Sequence, residues 1–471
     1  GNSYLGGLIG NNYSGTITNS YWTKERSGQG SSSGGISTTV TWLINKMNLE
    51  NKWDYTEIWG IEDKESLPYI NGITIPEEIY VVEKGFITFE KGDGTKENPY
   101  IIKTAAQLDR MRDVLYAYYK LDADIVLPNV TNTTDSNWTE IGTSSEPFTG
   151  YLDGNNHKIS NLQIGTKTTS SYQGLFGYTR SGEIKDLTIE TTETGINGGS
   201  YTGGLIGYNN GTAIENVSIK GTITGGSYTG GLVGYNNGNV TNARVEVAVK
   251  GMDNLGGLIG QKVGGTTENC KSSGKVIINN NSTRNNIGGL IGINSGTISK
   301  CYSESEITTT SSYNCNYVGG LVGINNGPIE KSASSGSVKV YVGGSSFIGG
   351  LVGQNNSTIT NAYSTGEVEG IQYVGGFIGY NNGNVTNTYT ISKVKGNSYL
   401  GGLIGNNYSG TITNSYWTKE KSGQGSSAGG TILTLKNLEK ESSYTNWRFK
   451  QNDNDTEYIW YMKNGLPELN F

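Results

Sequence analysis

A short signal, Gly-Gly-[Leu/Phe]-[Ile/Val]-Gly, returns along this chain with its first glycine at Gly6, Gly203, Gly230, Gly256, Gly288, Gly319, Gly349, Gly375 and Gly401. A weaker copy, QGLFG, starts at Gln173, and from there the steps are 30, 27, 26, 32, 31, 30, 26 and 26 residues. A fixed motif at an elastic spacing means one structural unit repeated, joined by loops of varying length.

Each unit reads alike. An aromatic and an aliphatic residue precede the glycines, as in YVGGLVG from Tyr317. A turn signal, NNG or NSG, follows. Two short alternating stretches close the unit, such as TITNAYSTG around Ile359 and then EVEG. Three short strands with no helical period fit one coil of a parallel β-helix. A single coil cannot bury its own apolar face, but stacked coils can, at about 4.8 Å per step. Leu205, Leu232, Leu258, Leu290, Leu321, Leu351, Phe377 and Leu403 are expected to form one inward column. Ile214, Val240, Ile298, Ile329, Ile359, Val385 and Ile412 are expected to form another. Asn216, Asn242, Asn269, Asn361, Asn387 and Asn414 are expected to stack as an amide ladder.

The segments GGLVGYNNGNVTNARV (230–245) and GGLVGQNNSTITNAYSTGEVEG (349–370) resemble the GLUG repeats of bacterial surface proteins. The resemblance covers most of 167–425. It implies a bacterial cell-surface, extracellular setting; such repeats occur in adhesins, in giant cell-wall proteins and beside some immunoglobulin A peptidases. The expected fold is therefore all-β, a parallel β-helix (solenoid) of about nine GLUG-like coils. A small mixed α/β start cap and an aromatic-rich end cap complete it.

The caps are read from the ends of the repeat array. Open ends of a solenoid must be covered, or their edge strands pair with other chains. In DGTKENPYIIKTAAQLDRMRDVL, Thr104 and Gln107 form a capping box ahead of Leu108, Met111 and Leu115 at helical spacing. Residues 92–165 are thus the expected start cap, 166–430 the β-helix and 431–471 the end cap. The first 25 residues recur unchanged at 396–420. Trp53, Trp59 and Leu67-Pro68 match Trp447, Trp460 and Leu466-Pro467. Residues 1–71 therefore read as the last coil and end cap of a preceding module, with 72–91 a linker, in a piece of a longer protein. An incomplete coil at 1–35 leaves apolar strand to be covered by upstream coils or by another chain, which would make a head-to-tail filament.

The chemistry-bearing residues are few. Net charge is −6 with no basic run, so no nucleic-acid partner is expected. No stretch is apolar enough to span a membrane. The single histidine, His157, lies in the turn DGNNHKIS and reads as a turn residue, which removes an HExxH zinc site and leaves no triad. Cys270, Cys301 and Cys315 read as small buried side chains, with a Cys270–Cys301 bridge the alternative. The column Lys185, Glu215, Thr241, Glu268, Ser299, Glu330, Thr360, Thr386, Thr413 never places acids on adjacent coils, so the carboxylate clusters of β-helical polysaccharide lyases and hydrolases are not expected. QNDNDTE (451–457) and KLDADIV (120–126) lack the spacing of a calcium loop. No catalytic residue, cofactor or metal is expected, and the chain reads as non-enzymatic.

Two tyrosine columns remain. Tyr172, Tyr201, Tyr228, Tyr317, Phe347, Tyr373 and Tyr399 precede the glycines, interrupted by Asn254 and Asn286. Tyr178, Tyr208, Tyr235 and Tyr380 follow the motif, interrupted by Gln261, Ile293, Ile324, Gln354 and Asn406. They are either stacking ladders or a platform for sugar rings, and strand alternation does not settle their direction. Tyr178, Tyr208, Tyr235 and Tyr380 are the candidate ligand-facing residues. The expected function is a structural and adhesive repeat module, a rigid rod or fibre, with surface glycans, host or cell proteins, or other copies end to end as partners. A self-assembling filament subunit and a glycan-binding module are the alternatives; a polysaccharide lyase or hydrolase ranks below them.

Overall fold

A computed structural model describes residues 8–9, 11–23, 31–38, 43, 59–60, 69–70, 89, 91–165, 170–278, 286–309, 315–340, 346–452 and 454–470. The chain forms two compact units, Gly1–Ala123 with Gly150–Asp153, and Asp124–Thr149 with Gly154–Phe471.

In the larger unit the repeat signal becomes nine stacked coils. One strand of each coil joins a nine-stranded parallel sheet that runs from Phe176–Arg180 to Ile404–Asn407. The register advances by one motif per strand: Tyr178↔Tyr208, Tyr208↔Tyr235, Tyr235↔Gln261 and so on to Tyr380↔Asn406. A second, seven-stranded parallel sheet carries the residues before the glycines, from Thr229–Gly230 to Ser398–Gly401. The remaining strands of each coil stack in the same order, so Ile184, Ile214, Val240, Thr267, Ile298, Ile329, Ile359, Val385 and Ile412 share one line. The expected leucine column is fully buried throughout. The isoleucine column is buried down to Val385, while Ile412 in the last coil is half-buried.

The interior is more polar than its sequence suggests. Beneath the paired glycines the inward line changes from Ile189, Ile219 and Val245 to Ser272, Ser303, Ser334, Ser364 and Thr390. These small side chains fit against glycine. Their hydroxyls donate to carbonyls of the glycine stack: Ser272 to Gly289 (2.8 Å), Ser334 to Gly350 (2.6 Å), Ser364 to Gly376 (2.7 Å). A buried carbonyl thereby keeps a partner.

Asparagine is used in three ladders, of which the sequence indicated one. The expected ladder is present, with Asn242 donating to Asn216 (2.9 Å), Asn269 to Asn242 (2.6 Å) and Asn387 to Asn361 (3.3 Å). Lys300 and Lys331 interrupt it, yet they and the ladder asparagines all have positive φ. The left-handed backbone at this corner explains the residue choice, because asparagine tolerates it better than most. The NNG, NSG and NNS segments after the motif supply the other two. Their first asparagine points inward and is fully buried: Asn294 donates to Asn325, Asn325 to Asn355, Asn355 to Asn381, at 2.8–2.9 Å. Their second stacks outside, Asn356 on Asn326 and Asn382 on Asn356, both at 2.9 Å. Asn242→Ala is expected to cost about 1–2 kcal/mol, since it removes two amide bonds at a positive φ. Asn242→Gly should recover part of that, because it restores the backbone preference alone; urea midpoints of the three proteins measure the difference.

The segment after the last coil does two jobs. Trp417 lies over Gly402, and Ser427 and Ala428 bond to Leu403 and Ile404, which covers the final strand. The aromatic segment beyond it lies along the flank. The outward line Ala333, Tyr363, Tyr389, Tyr416 is roofed by Leu438, Tyr444, Trp447, Phe449, Trp460 and Leu469. Tyr389 donates to the Pro467 carbonyl (2.7 Å), and Trp447 and Trp460 stack at 4.2 Å. Three tyrosines in line on one outer face demand such a cover. Trp460→Ala should cost about 3–5 kcal/mol of local stability and open 434–470 to limited proteolysis, leaving the coils protected.

In the smaller unit Thr104 caps the helix Ala105–Asp109 as expected, accepting from the Gln107 amide at 3.2 Å. Leu108 and Met111 are fully buried, but the third core position is Val114, and Leu115 is half-buried. The chain tightens to a 3₁₀ turn at Arg110–Asp113, which shifts the apolar spacing from four residues to three. The strands Tyr100–Ile102, Tyr118–Leu121 and Tyr151–Asp153 pair in parallel. The duplicated segments repeat their pairings: Tyr21↔Ile36 as Tyr416↔Thr431, and Trp59↔Ile70 as Trp460↔Leu469. The expected linker at 72–91 lies outside the described residues apart from 89 and 91.

Candidate functional site

The last glycine of each motif makes the outer feature of the stack. A Cβ on Gly292 would lie 2.5 Å from the Gly260 carbonyl oxygen, 2.7 Å from that of Asn286 and 2.8 Å from the Asn254 carbonyl carbon. Two strands of neighbouring coils meet there backbone to backbone, so only glycine fits. Just before Gly292, at 289–290 in this coil, the chain bends into an elbow between the strands Asn286–Gly288 and Ile291–Asn294, and the outward residues on either side face one another. Both tyrosine columns therefore face outward and line the two walls of one elbow.

Six tyrosines fill its first three coils. Along the axis, Tyr172, Tyr201 and Tyr228 stack at 5.0 and 4.8 Å, and Tyr178, Tyr208 and Tyr235 at 4.6 and 4.4 Å, with ring planes within 13°. Across the elbow, Tyr201 meets Tyr208 edge-on at 5.5 Å and Tyr228 meets Tyr235 at 6.2 Å. Burial of the phenols, reinforced by their neighbours, raises Tyr201 and Tyr208 above the ordinary tyrosine range, so both stay neutral donors at physiological pH. Within the row the ring faces are spent on one another, and the middle rings, Tyr201 and Tyr208, meet the solvent with edges and hydroxyls. Of the candidate ligand-facing residues, Tyr178, Tyr208 and Tyr235 come together here. Tyr380 belongs to a second cluster with Phe347 (4.7 Å) and Tyr373 (6.4 Å), followed by Tyr399 and the exposed Tyr408.

The titratable groups lie elsewhere and are engaged. His157 Nδ1 is 3.1 Å from Asp124 Oδ1, which also accepts the Lys158 amide (3.0 Å); that amide, then the histidine, holds Asp124 below the usual carboxylate range. Several outward acids are paired across coils: Glu268 with Lys300 (3.0 Å), Glu246 with Lys220 (3.1 Å), Glu304 with Lys271 (2.7 Å), and Glu367 with Lys339 (3.3 Å) and Lys395 (2.8 Å). Asp455 in the 451–457 turn is bound by Arg448 at 2.8 and 2.9 Å. Among the described residues no group of three or more His, Cys, Asp or Glu could hold a metal ion. Cys270, Cys301 and Cys315 are buried and form no disulfide, and burial pushes the Cys301 thiol well up.

One buried charge was not read from the sequence. Lys262 occupies the inward asparagine position of its coil and is fully buried. Its ammonium donates to the Gly264 carbonyl (2.7 Å) and, weakly, to that of Gly238 (3.4 Å). Desolvation pushes its pKa down to about 8. The signal was present as GQK where other coils have an asparagine after the motif.

The GLUG motif matches this chain at 1–23, 198–224, 344–369 and 396–418. A provisionally named Gly-rich membrane protein of Evansella cellulosilytica is 37% identical over 187 residues, covering 38% of this chain and 22% of that protein. Halomucin of Haloquadratum walsbyi is 35% identical over 147 residues, covering 28% of this chain and 2% of halomucin. The chain thus spans less than a quarter of either relative. Among solved structures, one provisionally described as an immunoglobulin A1 protease of Bacteroides ovatus is 20% identical with a TM-score of 0.34, covering 81% of this chain and 95% of that one. A second, described as IgA1 protease, is 18% identical with a TM-score of 0.39, covering 68% of this chain and 21% of that one. Among the described residues no helix is long and apolar enough to cross a membrane.

Proposed function

Because this chain carries GLUG repeats stacked as a parallel β-solenoid, we propose that it is a non-enzymatic structural and adhesive module of an extracellular, cell-surface protein. The observation that carries the reading is the register, which advances by one motif per strand through nine coils. Such a stack, roughly 40 Å along its axis, transmits load through backbone bonds and cross-coil ion pairs. The names of the relatives, a Gly-rich membrane protein and halomucin, support a surface setting. We take 92–165, 166–430 and 431–471 as start cap, β-helix and end cap, with 1–71 the close of a like module and 72–91 a linker. The repeated pairings of the duplicated segments support that division.

Catalysis is disfavoured because the acids of the outward line are never on adjacent coils, Glu268 and Glu367 are held by lysines, and His157 is held in a turn. Release of unsaturated or reducing sugar from pectin-like polysaccharides would overturn this. Negative-stain electron microscopy over a concentration series tests the mechanical reading. Single particles of constant dimensions at every concentration are expected of a surface spacer. Head-to-tail threads would instead support the filament subunit. The glycan-binding alternative rests on the outward tyrosines Tyr178, Tyr208, Tyr235 and Tyr380.

A further inference from the structure

Both walls of the elbow lose their aromatic rings in the fourth and fifth coils. After Tyr228 and Tyr235 come Asn254 and Gln261, then Asn286 and Ile293, and the aromatic wall resumes at Tyr317. Tyr228 and Tyr235 are stacked on one face only, by Tyr201 and Tyr208. Tyr317 is stacked on one face only, by Phe347 at 5.4 Å. Among the described residues, no ring covers their other faces, and these turn toward one another across the gap. Tyr228 and Tyr317 are three coils apart, about 14 Å, which leaves about 10 Å of free width after the thickness of the rings.

The floor of this notch is amide. Asn286 donates to Asn254 at 2.6 Å, and Asn254 is 8% exposed. The Asn254 amide nitrogen and the Gln261 side chain have no hydrogen-bond partner among the described residues, in contrast to the bonded ladder amides. The lining residues carry no formal charge, and Ile293 adds an apolar spot. The site is argued from described residues alone.

We propose that this notch binds a neutral N-acetylhexosamine oligosaccharide, two sugar rings seated between the tyrosine faces. Open aromatic faces suit the apolar faces of sugar rings, unpartnered amides suit acetamido groups and hydroxyls, and the absence of charge selects a neutral ligand. The inference rests on the glycan reading of the tyrosine surface and narrows it to one place where ring faces are free.

The test is a titration of the whole chain with N,N′-diacetylchitobiose, read by isothermal calorimetry and saturation-transfer NMR, with cellobiose as the probe lacking acetamido groups. Binding of the chitobiose is expected, with cellobiose at least tenfold weaker. Asn286→Tyr fills the notch by continuing the aromatic column, so it keeps the fold and should weaken binding at least tenfold. Thr360→Ala, on the outward line away from the tyrosine elbow, should leave it within twofold. Absence of transfer to chitobiose at millimolar concentration overturns the proposal. So does unchanged binding by Asn286→Tyr; if Tyr208→Ala then abolishes that binding, the tyrosine surface remains the glycan site and the notch alone fails.

Discussion

Gly292→Ala is expected to lose at least about 3 kcal/mol and to split the stack into two independently melting halves. Its Cβ would fall within 2.8 Å of three backbone atoms, none of which belongs to a movable side chain. Neither strand can withdraw without breaking pairings on both sides. Stability in a solenoid is a sum of coil and interface terms, so a weak central interface uncouples what lies above and below it. Hydrogen exchange should show lost protection around 286–294 first. Gly425→Ala is the control: a Cβ there meets nothing within 4 Å, and the urea midpoint should not move. Equal behaviour of the two variants would mean that the coils do not meet at the motif's last glycine.

Lys262→Asn is expected to stabilise the protein. The ammonium is held at a pKa of about 8 against an ordinary 10.5, a cost on the order of 3 kcal/mol for the charged form. Asparagine would remove it and place an amide between Asn236 and Asn294 in the interior ladder. The gain at pH 7 should be about 1–3 kcal/mol, reduced by the volume the lysine stem now fills. The pH dependence carries the signature. Below about pH 8 both folded and unfolded states hold the proton, and the folded state bears the full penalty. Between about 8 and 10.5 the unfolded chain holds more protons, so the native protein gains stability as pH rises. That rise should be absent from Lys262→Asn, as urea midpoints at pH 7, 9 and 10 would record.

These positions also mark how much could be read from the sequence. The coil count, both aliphatic columns, the outward line from Lys185 to Thr413 and one asparagine ladder were legible, because a motif at a fixed offset assigns register without further information. Side-chain direction near the glycines was not. Alternation fails where the backbone bends, so Tyr201 and Tyr208 could be placed in columns but not on walls. The first asparagine of NNG looked like turn chemistry because a corner and a buried ladder use the same residue. The terminal aromatics were recognisable as a cover, but the face they cover depends on Tyr363, Tyr389 and Tyr416 pointing outward. At the candidate site the sequence showed the interruptions at Asn254, Gln261 and Asn286; that they open a gap between free ring faces follows only from the stacking.

Distances between spin labels on the outward line test the stacked-coil account most directly. With one label at Lys185 and the other at Ser299, Thr360 or Thr413, the pairs are four, six and eight coils apart in register. Electron–electron resonance should give narrow distributions near about 19, 29 and 38 Å, rising linearly with coil number. Distances that fail to rise with coil number, or that are broad at every pair, would contradict a register-locked parallel solenoid.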